Sequence, residues 1–369
     1  MYILGPCSAE SREQVLVTAR QIKDVCGDVS FIFRAGVWKP RTSPNTFQGV
    51  GAEALEWLKE VKDTLGVPVA TEVATPEHVR LALEAGVDYL WIGARSSANP
   101  LAVQEIANAI GVQNTEYRIQ TDSDQTNQVG TLSAERSVLC QPKAVLIKNP
   151  VNADAKLWLG NIERLEKTGV PVIAVHRGCG HKPCWRMAHE VRLARPDILM
   201  LLDPSHLSGD AEQVPELMKK VEELGLDGAM IEVHCCPEKA LSDGKQQLRP
   251  VEIEVLVGEQ RTNDQLITNE QLTIESKETG KELSWLRAEI DELDDTLWDT
   301  IAARMDVSRR IGEWKKAQGM SPLQPERAKV IGERLKVKGE KLNLSAEFIK
   351  QIWDIIHQES LKTQLKIEN

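Results

Sequence analysis

MYILGPCSAESREQVLVTARQIKDV, residues 1–25, states the plan of the chain in one unit. Met1 to Leu4 is a short apolar run; Gly5-Pro6 breaks it, Cys7, Ser8 and Glu10 follow, and a helix is expected from about Ser11 to Val25. The same rhythm recurs with apolar runs at Phe31 to Phe33, Pro68 to Ala70, Tyr89 to Ile92, Ala144 to Ile147, Pro171 to Val175, Ile198 to Leu202 and Ala229 to Val233. Helical stretches separate them, among them Ala52 to Leu65, Pro76 to Ala85, Pro100 to Ile110, Ala155 to Thr168 and Gln213 to Leu224. Alternation of this kind over about 250 residues predicts an α/β fold closed as a (β/α)8 barrel.

The chain has 369 residues, which suits a barrel and a smaller unit. A formal net charge of −10 argues against a nucleic-acid binder or an anionic-membrane binder, so any anion site must be a local cationic pocket. Seven cysteines, with no charged-then-apolar leader and no apolar run of membrane-span length, lead us to expect a soluble cytoplasmic protein without disulfides.

In such barrels chemistry sits where strands end and loops begin. The residues at these ends are Cys7, Arg34, Thr71 with Glu72, Arg95, Lys148, His176 with Arg177, Asp203 with His206, and Glu232 with His234. Each alone has an ordinary structural account, but that account has to be repeated after every strand. The second loop, RAGVWKPRTSPNTFQG from Arg34 to Gly49, gathers Arg34, Lys39, Arg41, Thr42 and Ser43 around Pro40 and Pro44. Two prolines stiffen the backbone and hold the charges in place, and arginine forks match phosphate or carboxylate oxygens in pairs.

Cys7, His206, Glu232 and Asp243 make a mixed sulfur, nitrogen and oxygen ligand set that suits a divalent first-row metal such as Mn, Fe, Co or Zn without naming it. They come from separate strand ends that a barrel mouth can bring together. Cys179, His181 and Cys184 are closer to a metal spacing but lack a fourth ligand, and loop structure is the preferred reading. Cys235-Cys236 has no assigned role.

Gly5-Pro6-Cys7-Ser8, Lys39-Pro40-Arg41-Thr42, Gly93-Ala94-Arg95, Lys148-Asn149-Pro150, His176-Arg177-Gly178, Asp203-Pro204-Ser205-His206 and Glu232-Val233-His234 with Leu241-Ser242-Asp243-Gly244 resemble 3-deoxy-arabino-heptulosonate 7-phosphate (DAHP) synthase. They are similar to its short-barrel branch, which is related to 3-deoxy-octulosonate 8-phosphate synthase. The resemblance implies condensation of phosphoenolpyruvate with erythrose 4-phosphate. It puts the metal on Cys7, His206, Glu232 and Asp243, the phosphoenolpyruvate phosphate on Arg95, Lys148 and Arg177, its carboxylate side on Arg34 and Lys39, and the sugar phosphate on Arg41 and Thr42. Lys39 is also expected to act in catalysis, and Pro40-Arg41-Thr42 favours the four-carbon aldose.

The tail is different in kind. From Leu283 to Gln318, Leu286, Ile290, Leu293, Leu297, Ile301 and Met305 recur every three or four residues, and Gly319 with Pro322 ends the run. A helix about 54 Å long cannot be covered by two shorter ones, expected at Pro325 to Leu342 and Ser345 to Ile367, so a homodimer or higher oligomer is expected to bury the stripe. Arg304 and Lys315 fall about 20° apart on the helix, whereas Arg287 is about 100° from Arg304; Ser360 and Gln364 share a face. Leu286-Arg287, Ile290-Asp291, Arg304, Lys315, Pro325-Glu326-Arg327, Ser360 and Gln364 resemble the all-helical chorismate mutases. That resemblance implies that Arg304, Lys315, Arg327 and Gln364 hold chorismate, that Ser360 adds to the site, and that Arg287 reaches in from a partner chain. Arg304, Lys315 and Gln364 are expected to act in catalysis. Ala328 departs from the family pattern, where Glu is usual, and Gln324 stands where Asp is common.

The organisation expected is therefore a barrel over residues 1–260, a linker over 261–282 and a helical unit over 283–369. Gly111 to Gln141, polar and without apolar period, is expected to be an inserted surface loop, and Leu248 to Glu259 a closing helix. The alternatives are a tail that senses ligand without turnover, and a barrel that is an octulosonate synthase. Met1 lies almost on the first strand, so feedback by prephenate is expected to act through the tail rather than through a preceding domain.

Overall fold

The computed structural model describes residues 1–123 except 42 and 44, then 141–256 and 274–365; side chains of 112–123 and 274–280 are left aside. Eight parallel strands close into a barrel in sequence order: β1 (Tyr2–Gly5), β2 (Ile32–Arg34), β3 (Val69–Val73), β4 (Tyr89–Ile92), β5 (Ala144–Lys148), β6 (Val172–His176), β7 (Leu199–Leu202) and β8 (Ala229–Glu232). Pairing of Tyr2 with Ala229 and Gly5 with Glu232 completes the ring. Around it lie α1 (Arg12–Cys26), α2 (Glu53–Leu65), α3 (Pro76–Glu84), α4 (Ala94–Ser97), α5 (Pro100–Ser123), α6 (Ala155–Glu166), α7 (Trp185–Ala194), α8 (Pro204–Ser208), α9 (Val214–Glu223) and helical residues 250–256, here α10.

Strand side chains alternate, so each strand contributes every second residue to the barrel interior. Ile3, Ile32, Ala70, Trp91, Leu146, Ile173, Leu201 and Met230 form that apolar plug, while the other strand face packs against the helices in a separate, larger core. Two residues beyond the plug, the inward positions are Arg34, Glu72, Lys148, Asp203 and Glu232. The same alternation that builds the core thus delivers buried charge to one end of it.

Helix starts follow local chemistry. Ser11, Thr75, Asp154 and Asp203 each cap the helix that follows by accepting a backbone N–H. Gly5 has φ +148°, and a Cβ there would stand 2.1 Å from the Arg34 carbonyl oxygen. Gly5→Ala is therefore expected to lose about 1–3 kcal/mol from backbone strain alone, before the clash is counted, read as a lowered denaturant midpoint.

Two expectations need correction. Gly111 to Ser123 is not loop but the continuation of α5, while 124–140 lie outside the described residues. Of the expected linker, 261–273 lie outside the described residues and the rest is helix, because α11 (Ile274–Ala317) begins well before Leu283. The chain divides into two compact units, Met1–Glu289 and Ile290–Asn369. In the second, the remainder of α11 is joined by α12 (Pro325–Lys341) and α13 (Ala346–Leu365). Among the described residues no helix is long and apolar enough to cross a membrane, and Cys7, Cys235 and Cys236 are free thiols.

Candidate active site and metal centre

Ligand atoms of Cys7, His206, Glu232 and Asp243 all lie within 4.8 Å of one another. Cys7 follows β1, Glu232 ends β8, His206 sits on α8 after β7, and Asp243 is in the loop after β8 with a left-handed backbone (φ 50°). The Cys7 thiol donates to Asp243 Oδ2 at 2.9 Å. Burial, with Glu232 and Asp243 close by, pushes that thiol well above its ordinary pKa. His206 Nδ1 is 2.9 Å from Asp203 Oδ2, so the proton belongs on Nδ1 and the bare Nε2 faces Glu232 Oε1 at 3.6 Å. Burial also lowers the His206 pKa, which keeps the ring neutral, the form a metal binds. Gln246 Nε2 donates to Glu232 Oε2 at 2.7 Å. A thiol, two carboxylates and a neutral imidazole, converging with a proton shared between two of them, fit a borderline divalent cation.

Beside this cluster is a cavity of about 170 Å³ whose lining includes Arg34, Lys39, Arg41, Arg95, Lys148 and Arg177. Arg34 is wholly buried; its Nη2 reaches Glu232 Oε1 at 3.2 Å, and its guanidinium lies 4.7 Å over the Trp91 ring. Its Nε and Nη1 are buried with no hydrogen-bond partner among the described residues. Unsatisfied guanidinium N–H groups in a low-dielectric site call for an anion. Lys39 Nζ is 3.2 Å from the Cys7 carbonyl and 3.7 Å from Glu72. Burial alone would lower the Lys39 pKa, but Cys7, Glu72 and Glu232 outweigh it and hold the ammonium charged. Lys148 Nζ is 2.5 Å from Asp203 Oδ2; burial lowers the lysine, while His206 and Lys148 hold the Asp203 carboxyl far down against the opposing effect of burial.

Arg41 lines the same cavity but pairs with Asp243 Oδ2 at 3.2 Å, so it faces the ligand cluster directly. Thr42 lies outside the described residues, and Pro40 is part of the cavity wall. Sequence reasoning missed Trp91, His181 and Gln246 as cavity residues. Trp91 was legible from the inward period of β4; His181 and Gln246 come from loops, where no period exists. Cys179, His181 and Cys184 do not gather as a metal group; Cys179 N and O bond Lys182 O and N at 2.8 and 3.2 Å in a tight turn, and His181 turns to the cavity.

In the second unit, Arg304 Nη1 donates to Ser360 Oγ, and Lys315 Nζ donates to Gln364 Oε1 at 3.2 Å. Burial lowers both cationic groups. Arg304 lies 5.8 Å over the Trp353 ring and, with Arg327, lines a largely apolar cavity of about 680 Å³ between α11, α12 and α13. Of the residues expected at this site only Arg304 and Arg327 line the cavity; Lys315, Ser360 and Gln364 are buried outside its lining, and Arg287 is exposed on α11.

Residues 1–112 and 135–267 match the family model described as DAHP synthetase I. The chain belongs to the DAHP synthetase I family. Residues 286–365 match the model for chorismate mutase type II. Over 247 residues, 67% of this chain, it is 32% identical to the phospho-2-dehydro-3-deoxyheptonate aldolase of Thermotoga maritima, spanning 64% of that protein's length. It is 30% identical over 256 residues to the 2-dehydro-3-deoxyphosphooctonate aldolase of Desulfatibacillum aliphaticivorans, covering 67% of this chain and 86% of the other. A solved structure of the Thermotoga maritima DAHP synthase superposes with a TM-score of 0.57 at 27% identity, covering 72% of this chain and 70% of that one. Both the heptonate and the octonate branches are thus represented among its relatives.

Proposed function

We propose that the barrel condenses phosphoenolpyruvate with erythrose 4-phosphate to DAHP, and that the helical unit rearranges chorismate to prephenate, in the cytoplasm. The observation that carries the first part is the donor cluster of Cys7, His206, Glu232 and Asp243 opening on one cavity walled by six cationic side chains. Those four residues would hold a divalent metal, which when bound supplies a Lewis acid for a carbonyl oxygen. Arg34, whose Nε and Nη1 are unpaired among the described residues, and Lys39 take the phosphoenolpyruvate carboxylate; Arg95, Lys148 and Arg177 take its phosphate, and Arg41 with Thr42 the sugar phosphate. Held so, the enol carbon bonds to the aldehyde carbon as the C=O π pair moves onto oxygen, and the charged Lys39 donates a hydrogen bond to that developing alkoxide, which takes up a proton to become a hydroxyl. Water adds at the carbon bearing the phosphate ester, and phosphate leaves.

In the helical unit no nucleophile is required. Arg304, Lys315 and Arg327 bind the two carboxylates and, with Gln364, the ether oxygen, so that one folded conformer is selected and its developing charge stabilised. Ser360 steadies Arg304. Loss of the hydroxyl contact at Ala328 weakens turnover roughly tenfold to a hundredfold, at about 1–3 kcal/mol, without removing it. Exposed Leu293, Leu297, Trp298 and Trp314 along α11 support a dimer through this unit, from whose partner chain Arg287 would reach the site.

Both activities are tested by assaying one purified protein for each. Relatives named for the octonate reaction favour a second reading of the barrel, so erythrose 4-phosphate and arabinose 5-phosphate belong side by side in the assay. At least a tenfold higher kcat/KM for the four-carbon aldose is expected; a preference for arabinose 5-phosphate would place the chain in the other branch.

Feedback is proposed to run through the helical unit. Prephenate is expected to inhibit the barrel reaction in the wild type and not in Arg304→Ala, with reciprocal weakening of prephenate binding by barrel substrates of about 1–3 kcal/mol. Inhibition that persists in Arg304→Ala would exclude the tail as sensor.

A further inference from the structure

Trp285 falls outside both family matches, which end at residue 267 and begin again at 286. Leu286 and Ile290, on the α11 stripe, are 46% and 57% exposed, yet Trp285 and Ala288, on another face of the same helix, are each only 3% exposed. The Trp285 ring stacks flat on His189 of α7, with centroids 5.3 Å apart and planes at 5°, and stands edge-on to Trp185 at 6.2 Å. Glu289 Oε1 meets His189 Nδ1 at 2.5 Å and holds that imidazole face against the indole. All of this lies within the first compact unit.

Trp185 is the first residue of α7, and its ring lies 5.3 Å from His176, the last residue of β6. His176 Nε2 donates to the Pro183 carbonyl at 2.6 Å, since a carbonyl can only accept, and Trp158 closes the other side of the ring at 6.2 Å. Burial pushes the His176 pKa down to about 4, in keeping with a neutral ring. Between His176 and Pro183 runs the loop that carries Arg177 and His181 to the cationic cavity. Asn149 fixes its beginning, accepting from Arg177 N at 2.7 Å and donating to the Gly178 carbonyl at 3.0 Å. The His176–Pro183 bond, backed by Trp185, fixes its end.

We propose that Trp285 is a positioning residue for the barrel site: by packing against Trp185 it sets His176 and the loop 177–183, and through them the reach of Arg177 to the phosphate of phosphoenolpyruvate. The inference rests on the function proposed above, because that reading gives Arg177 its ligand. Trp285 touches no substrate. An indole behind Trp185 acts as a wedge, and an arginine displaced by an ångström loses much of its grip on a bound anion.

The test uses the full chain and measures phosphoenolpyruvate binding by calorimetry together with steady-state kinetics. Trp285→Ala is expected to raise the Kd and KM for phosphoenolpyruvate about tenfold, with kcat within about threefold and both KM for erythrose 4-phosphate and chorismate turnover unchanged. Trp285→Phe, which keeps a flat ring, restores most of the affinity. Should Trp285→Ala not be recovered folded, His189→Ala removes the ring beneath the indole and is expected to raise the same Kd about threefold. An unchanged Kd for phosphoenolpyruvate in either alanine variant overturns the proposal, as does a fall in kcat with KM unaltered. Wild type that binds phosphoenolpyruvate without turning it over overturns the functional reading, while the ratio of Kd values still decides the role of Trp285. Absence of binding to the wild type overturns both.

Discussion

Cys7→Ser is expected to cut turnover of phosphoenolpyruvate and erythrose 4-phosphate by about a thousandfold, near 4 kcal/mol. Of the four donors it is the single sulfur, and it is wholly buried against Glu232 and Asp243. A hydroxyl at that position is a harder, shorter and less acidic donor, so a borderline divalent ion is held less tightly and its Lewis acidity is lost with it. Two measurements check this: metal content of the purified variant, and turnover before and after chelation of the wild type. Full activity after verified metal removal, or metal content and activity in Cys7→Ser equal to wild type, would contradict the assignment. The fold is expected to survive, because the Cys7 backbone remains tied by its N–H to Gln247 and by its carbonyl to Arg34 and Lys39.

The second large effect belongs to the other unit. Arg304→Ala is expected to lower chorismate turnover by roughly a hundredfold to a thousandfold, the scale of losing a preorganised donor from a site that works by electrostatic positioning. Arg304 reaches the cavity already held by Ser360 and covered by Trp353, so its geometry is set before any ligand arrives. Arg304→Lys should recover little, since a single ammonium does not reproduce a planar two-pronged donor. Barrel turnover in both variants is expected to match wild type in the absence of prephenate. An Arg304→Ala protein that turns over chorismate at the wild-type rate would show that this cavity is not where the rearrangement occurs.

The barrel was legible because its periods are short and local. Alternation of apolar and charged residues along five strands puts Arg34, Glu72, Lys148, Asp203 and Glu232 two positions beyond the apolar plug, a relation visible in the sequence before any fold is known. Residue chemistry then marked Cys7, His206 and Asp243, which the segments after β1, β7 and β8 carry to the same place. Less legible were Arg41, whose partner Asp243 lies about two hundred positions away, and His181, since a loop has no period from which to read direction.

What the sequence determined by itself was the closed barrel, the helical tail and the residue types of both sites, since each follows from spacing within a strand or helix and from the chemistry of the side chains. The tertiary structure alone decided where the first unit stops. The stripe from Leu286 to Met305 is one apolar series, and Trp285 and Ala288 lie off it on another face of the helix; helical period says which residues share a face but not which neighbour covers that face. Trp185 and His189, roughly a hundred positions earlier, supply a cover for Trp285 and Ala288 that nothing in the tail itself announces, and so the opening of the long helix belongs with the barrel.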